Sequence, residues 1–135
     1  MKDEKNGAVR VVAAYIRSGN QFLIFRRPAH KARGLLWEFV GGKVEGDEGD
    51  RDALIRECRE EIGCRVDPGR LFCSTRHEYP DLTVDLMVYE TRLPAGETPR
   101  LLEHAEMAWI TPDEIGNYAF CPADTAILTE IVRRG

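Results

Sequence analysis

Glu57, Glu60 and Glu61 fall within five residues of the stretch RECREEIG at 56–63. On an α-helix, positions three and four apart share a face, so the three carboxylates can converge on one point. Like charges at that spacing repel, and a positive partner is needed to hold them together. Mg²⁺ suits the donor set: it takes oxygen ligands, keeps several waters, and bridges a few carboxylates to substrate phosphates. A solvated acidic face neutralised by Arg56 and Arg59 would have the same composition, so the surroundings must decide.

Those surroundings begin with the helix itself. Ala53, Leu54, Cys58 and Ile62 recur near helical spacing, which predicts a helix over Asp50 to Ile62 with Gly63 as its stop. Upstream, AVRVVAAYI at 8–16 and QFLIF at 21–25 flank Ser18-Gly19-Asn20 and read as a hairpin. A basic loop, RRPAHKARGLL at 26–36, leads to a short apolar WEFV and then Gly41-Gly42. Downstream, Leu71–Glu78 and Leu82–Thr91 flank Tyr79-Pro80-Asp81 as a second hairpin, with Leu82, Val84, Leu86 and Val88 on one face.

PAGETPR at 94–100 is a turn-rich loop, and Glu106–Ile110 a last strand. Thr111, Pro112 and Glu114 supply an N-cap, a first-turn proline and an N3 acid for a short helix, and Pro122 to Arg134 forms a closing one. Strands, helix, strands, helix predict an α+β fold with helices packed against a mixed sheet. The 135 residues, 43% hydrophobic, fit one domain over 1–135, with 1–7 a flexible N-terminus.

The formal charge of −4 gives no general attraction for polymeric nucleic acid. Cys58, Cys64, Cys73 and Cys121 form no CxxC pair and have no histidine at zinc-finger spacing; reduced thiols in a cytoplasmic protein are expected. No apolar stretch reaches the length of a membrane span, and the N-terminus shows no signal-peptide core. His30, His77 and His104 lack paired ligand spacing and read as polar surface or strand residues.

Residues 42–64 resemble the Nudix box, G-x5-E-x7-R-E-U-x-E-E-x-G-U with U apolar, at every fixed position, Cys58 and Cys64 taking the apolar places. LWEFVGGK at 36–43 is similar to the LWEFPGGK of MutT-like enzymes, with Val40 in place of proline, and FCPAD at 120–124 resembles their base-binding segment. The likeness runs from Val9 to Arg133. It implies a Nudix fold, a mixed β-sheet between helices in an α/β/α sandwich.

The resemblance also implies a reaction. A Mg²⁺-dependent hydrolase, in which Mn²⁺ can substitute, would convert a modified or oxidised nucleoside triphosphate, such as 8-oxo-dGTP or a 5-substituted cytosine nucleotide, to the monophosphate and pyrophosphate. Water activated by the metal or by Glu103 attacks the β-phosphorus, and the biological role is sanitising the nucleotide pool. Glu57, Glu60 and Glu61, the Gly42 backbone and Glu103 are the implied metal site; Glu106 competes with Glu103.

By the same resemblance, Arg56 orients a box glutamate, Glu48 supports the loop, and Arg27 contacts phosphate. Asp124 reads an amino-bearing base, with Phe39 and Phe120 beside the substrate; Trp37, Trp109 and Phe72 suit sheet packing. The partner is a small-molecule nucleotide bound by a monomer or homodimer. Two other readings stay open: hydrolysis of another nucleoside diphosphate derivative, such as a nucleotide sugar or dinucleoside polyphosphate, and a non-catalytic nucleotide-sensing module of the same fold. Binding-only relatives often lose the box glutamates, and this chain keeps them.

Overall fold

A computed structural model describes residues 8–134; the N-terminal segment expected to be flexible lies outside them. Strands β1 (Ala8–Ser18) and β2 (Gln21–Arg26) form the first hairpin, with Gly19 in the left-handed region at its turn. Their side chains are buried on both faces. Ala13, Tyr15, Phe22 and Ile24 enter one core, while Val12, Ala14, Ile16, Leu23 and Phe25 enter the other. This is why the sequence runs as nearly continuous apolar residues, with weak alternation.

The expected WEFV strand divides. Trp37–Glu38 (β3) pairs with β2, and Gly41–Lys43 (β4) crosses to pair antiparallel with β1. Gly41 has no room for a Cβ against the Val12 backbone, so the crossing depends on its bare backbone. The second hairpin pairs β5 (Asp67–Glu78) with β6 (Thr83–Arg92), and β6 runs parallel to β1 from Ala8↔Thr83 to Ile16↔Thr91. β5 starts four residues before the predicted Leu71 because register shifts on either side of Leu71 carry pairing past the polar DPGR. β7 (Glu106–Ile110) adds to β2, completing a seven-stranded mixed sheet.

Helix α1 (Asp50–Ile62) has the predicted bounds and packs Ala53, Leu54, Cys58 and Ile62 onto one face of the sheet. Gly63, at φ 68°, ends it, donating its N–H to the Arg59 carbonyl at 3.2 Å. No side chain caps its start. Instead Arg10 donates twice to Asp50, both at 2.8 Å, and the Tyr89 hydroxyl donates at 2.6 Å, fixing the first turn to β1 and β6.

Helix α2 (Thr125–Arg134) covers the other face with Ile127 and Ile131. The closing helix expected from Pro122 opens as a 3-10 turn over Pro122–Asp124, and the short helix at Pro112–Asn117 is also 3-10, started by the Thr111–Glu114 capping box. The layers are helix, mixed sheet, helix.

Candidate active site

Arg56 organises the glutamate face of α1. Its Nε and Nη2 bind the Glu48 carboxylate at 2.7 and 3.0 Å, and Nη2 also reaches the Lys43 carbonyl at 3.0 Å. Nη1 donates to Glu57 Oε2 at 3.1 Å and to Glu60 Oε1 at 3.3 Å. One guanidinium thus ties β4 and the following loop to the helix. The Arg56 hydrogen bonds, with the Glu45 N–H, hold Glu48 down at about 2.

Gly42 lies directly over Glu57. A Cβ there would sit 2.5 and 2.6 Å from the carboxylate oxygens, so only glycine leaves the acid in place. Burial pushes the Glu57 carboxyl up, with Arg56 acting against it. Glu61 is pushed to about 8 by burial, then by the charges of Glu57 and Glu38. Raised carboxyl groups side by side favour taking up a proton or a cation.

Both acids line a cavity of about 470 Å³. Gly41, Gly42, Glu103, Arg27, Phe39 and Asp124 line the same cavity, joining β4, three loops and the 3-10 turn at Pro122–Asp124. Asp124 is 5% exposed, and its Oδ2 has no hydrogen-bond partner among the described residues. Burial, then the charge of Glu38, pushes its carboxyl well above the usual range, against the opposing pull of Arg27.

Other sequence-derived candidates sit differently. Glu60 is exposed and held by Arg56, outside the cavity lining. Phe120 bridges Trp37 and stacks on Phe39 at 6.4 Å, also outside the lining. Arg27 lines the cavity but donates to Glu38 Oε1 at 3.0 Å and the Ala32 carbonyl at 2.8 Å. Glu103 is on the cavity wall, 3.9 Å from Lys31, whereas Glu106 pairs outward with Arg26 at 2.8 Å. Trp37 and Phe72 are buried in the core.

Three residues escaped the sequence reading. Glu38 lines the cavity and accepts from Arg27 on one oxygen, facing His104 Nε2 at 3.0 Å on the other. His104 is buried, which corrects its assignment to the surface or a strand: it packs against Phe25 at 4.8 Å. Tyr79 accepts the Ala123 N–H at 2.9 Å beside Asp124, with Arg33 over its ring at 4.0 Å. LWEFVGGK carried a signal for Glu38; the other two depend on contacts between distant segments.

No cluster of three or more His, Cys, Asp or Glu among the described residues forms a ready metal cage. The donor set fits Mg²⁺ nonetheless, because this ion keeps waters and takes substrate phosphate oxygens, needing few protein carboxylates. The buried Glu57 under the bare Gly42 backbone and the half-buried Glu61 on the same cavity supply that.

The NUDIX domain profile matches residues 11–130. The chain is 38% identical to the CTP pyrophosphohydrolase of Escherichia coli (strain K12) over 120 residues, 89% of this chain and 88% of the relative. It is 32% identical to the putative 8-oxo-dGTP diphosphatase 2 of Mycobacterium tuberculosis, over 91% of this chain and 87% of the relative. Among solved structures, the E. coli ORF135 protein superposes with a TM-score of 0.80 at 35% identity, covering 93% of this chain and 89% of that one. The MutT protein of Methanosarcina mazei Go1 gives 0.82 at 25%, covering 94% of each. With the box arranged on α1 and the α/β/α sandwich around it, the chain belongs to the Nudix family and is a Nudix hydrolase.

Proposed function

We propose that this Nudix hydrolase converts a cytosine-type nucleoside triphosphate, including 5-substituted forms, to the monophosphate and pyrophosphate. The observation that carries the base assignment is the buried Asp124, with an unpartnered Oδ2 in the same cavity as the glutamates. Burial favours the protonated form of this acid, and that form offers one O–H donor and one carbonyl acceptor. That pair complements the N3 acceptor and N4 amino donor of cytosine; adenine presents the same pair at N1 and N6, and the relative named CTP pyrophosphohydrolase favours cytosine. An ionised Asp124 would be two acceptors, matching the N1–H and N2 amino group of guanine; relatives named 8-oxo-dGTP diphosphatase make an oxidised guanine nucleotide the second reading.

Glu57, Glu60 and Glu61 with the Gly42 carbonyl would hold Mg²⁺, and Mn²⁺ in its place. The bound ion would lower the pKa of water and neutralise charge on the bridging oxygen. Glu60's exposed pairing with Arg56 is worth little, so its carboxylate is available to such a cation. Glu103 takes the proton of the attacking water, Arg27 and Lys31 present positive charge to the phosphates, and Arg56 keeps Glu57 aimed under Gly42. The four free thiols suit a reducing, cytoplasmic setting; nucleotide-pool sanitising is the role that follows.

A pyrophosphate-release screen over normal, oxidised and 5-substituted nucleoside triphosphates with Mg²⁺ tests the reading. The highest kcat/KM is expected for cytosine nucleotides. Preference for uracil or adenine nucleotides, or for nucleotide sugars or dinucleoside polyphosphates, would reject it.

A further inference from the structure

Glu38 is held from two sides by residues far apart in the chain. Arg27 donates to one oxygen at 3.0 Å and His104 Nε2 lies 3.0 Å from the other. An ionised carboxylate only accepts, so Nε2 carries the hydrogen. Nδ1 is buried without a hydrogen-bond partner among the described residues, and Glu61, at 4.0 Å from Nε2, is beyond hydrogen-bond distance. Among the described residues the imidazole thus makes one hydrogen bond, to Glu38, with its ring set against Phe25.

The backbone fixes both partners independently. Glu38 is opposite Phe25 in the β2–β3 pairing, and the Ala105 N–H donates to the Arg26 carbonyl at 2.8 Å. The His104 side chain therefore meets Glu38 from a segment anchored to the same end of β2. Both residues line the cavity that also holds Asp124. Without the Nε2–H donor, Glu38 would keep only Arg27 and be free to turn from the wall.

We propose that His104 is a positioning residue for nucleotide binding: its Nε2–H holds the Glu38 carboxylate at the cavity wall, where it accepts hydrogen bonds from donor groups of the nucleoside. This rests on the reading of the cavity as a nucleotide site. His104 itself need not touch the nucleotide.

The test is a double-mutant cycle using His104→Leu, His104→Gln and Glu38→Met. Two quantities are measured: kcat and KM for the preferred triphosphate with Mg²⁺, and the Kd of its nucleoside monophosphate by calorimetry in EDTA. Loss of one charge-assisted hydrogen bond predicts that His104→Leu raises KM and Kd about tenfold, with kcat within about threefold of wild type. Glutamine, which keeps an N–H donor, restores both to within about threefold, and in the Glu38→Met background, which has no oxygen acceptor, the leucine change shifts Kd less than about twofold. An equal effect of His104→Leu in both backgrounds, a glutamine variant no better than leucine, or a loss confined to kcat would overturn the proposal. Should the leucine variant fail to fold, His104→Phe, which keeps a flat ring and has no N–H donor, takes its place under the same criteria. A wild type that binds the monophosphate but hydrolyses no triphosphate rejects the proposed reaction alone, since the Kd cycle still decides on His104; a wild type that binds no nucleotide overturns both.

Discussion

Glu57 and Asp124 are both buried acids of one cavity, and their surroundings give them different work. Glu57 has Arg56 at 3.1 Å and Gly42 above it. Glu57→Gln and Glu60→Gln should each lower turnover at least about tenfold with the fold intact, since an amide is a poorer ligand for a hard cation; steady-state kinetics at saturating Mg²⁺ checks this, and circular dichroism the fold. Asp124 has no such counter-charge in contact. Asp124→Asn keeps one donor and one acceptor, so it should retain kcat/KM for a cytosine nucleotide within about fivefold. Asp124→Ala, which offers neither, should lose about 1–3 kcal/mol in kcat/KM for that nucleotide, the cost of an unmade buried hydrogen bond. If the two variants behave alike, Asp124 serves the fold rather than the base. At this scale the box residues stood out as a set because acids recur at short spacing on one helix. The burial of Asp124 and His104 was not, because it is created by β2, β3 and loops distant in sequence.

Helix α1 delivers its glutamates only if both its ends are fixed. Asp50 accepts from Arg10 and Tyr89 at its start, and Gly63 closes it in the left-handed region. Removing the charged acceptor with Asp50→Ala should cost about 2 kcal/mol of stability, measured by urea unfolding, while kcat falls less than for Glu57→Gln. A loss under half a kcal/mol would show that the sheet contacts alone hold the helix. The bounds of α1 and of β7 were readable because an apolar stripe, a terminal glycine and a strand pattern agreed. The division of WEFV into β3 and β4 was not, since it follows from the tight packing of Gly41 on Val12, a contact 29 positions apart in the sequence. The start of β5 was misplaced for a similar reason: its polar DPGR pairs through bulges that no alternation announces.

Across the whole molecule, the cavity concentrates acids that the fold leaves partly uncompensated. Glu61, at about 8 when folded, lies well above the roughly 4.3 of an unfolded glutamate, so the folded chain binds more protons between those values. Its contribution to stability is full below the unfolded value and is lost as pH rises toward 8. The depressed acids Glu48, Asp50 and Asp85 act oppositely, but are ionised in both states above about pH 5.5. Metal-free melting temperature should therefore fall from pH 5.5 to 8, Mg²⁺ should restore more of it at pH 8, and Glu61→Gln should flatten the slope. A rising or level wild-type profile would mean Glu61 is not held as described. The layered architecture that creates this burial was legible in element order and in the family likeness, whereas the local charge balance was not, because it depends on which acids the fold places together. In the proposed reaction the cavity splits a nucleoside triphosphate between its α- and β-phosphorus atoms, with water arriving at β. Turnover of the preferred triphosphate in ¹⁸O-labelled water, read by mass spectrometry of both products, tests it most directly. Label in pyrophosphate is the result expected; label in the nucleoside monophosphate, or release of orthophosphate instead of pyrophosphate, would contradict it.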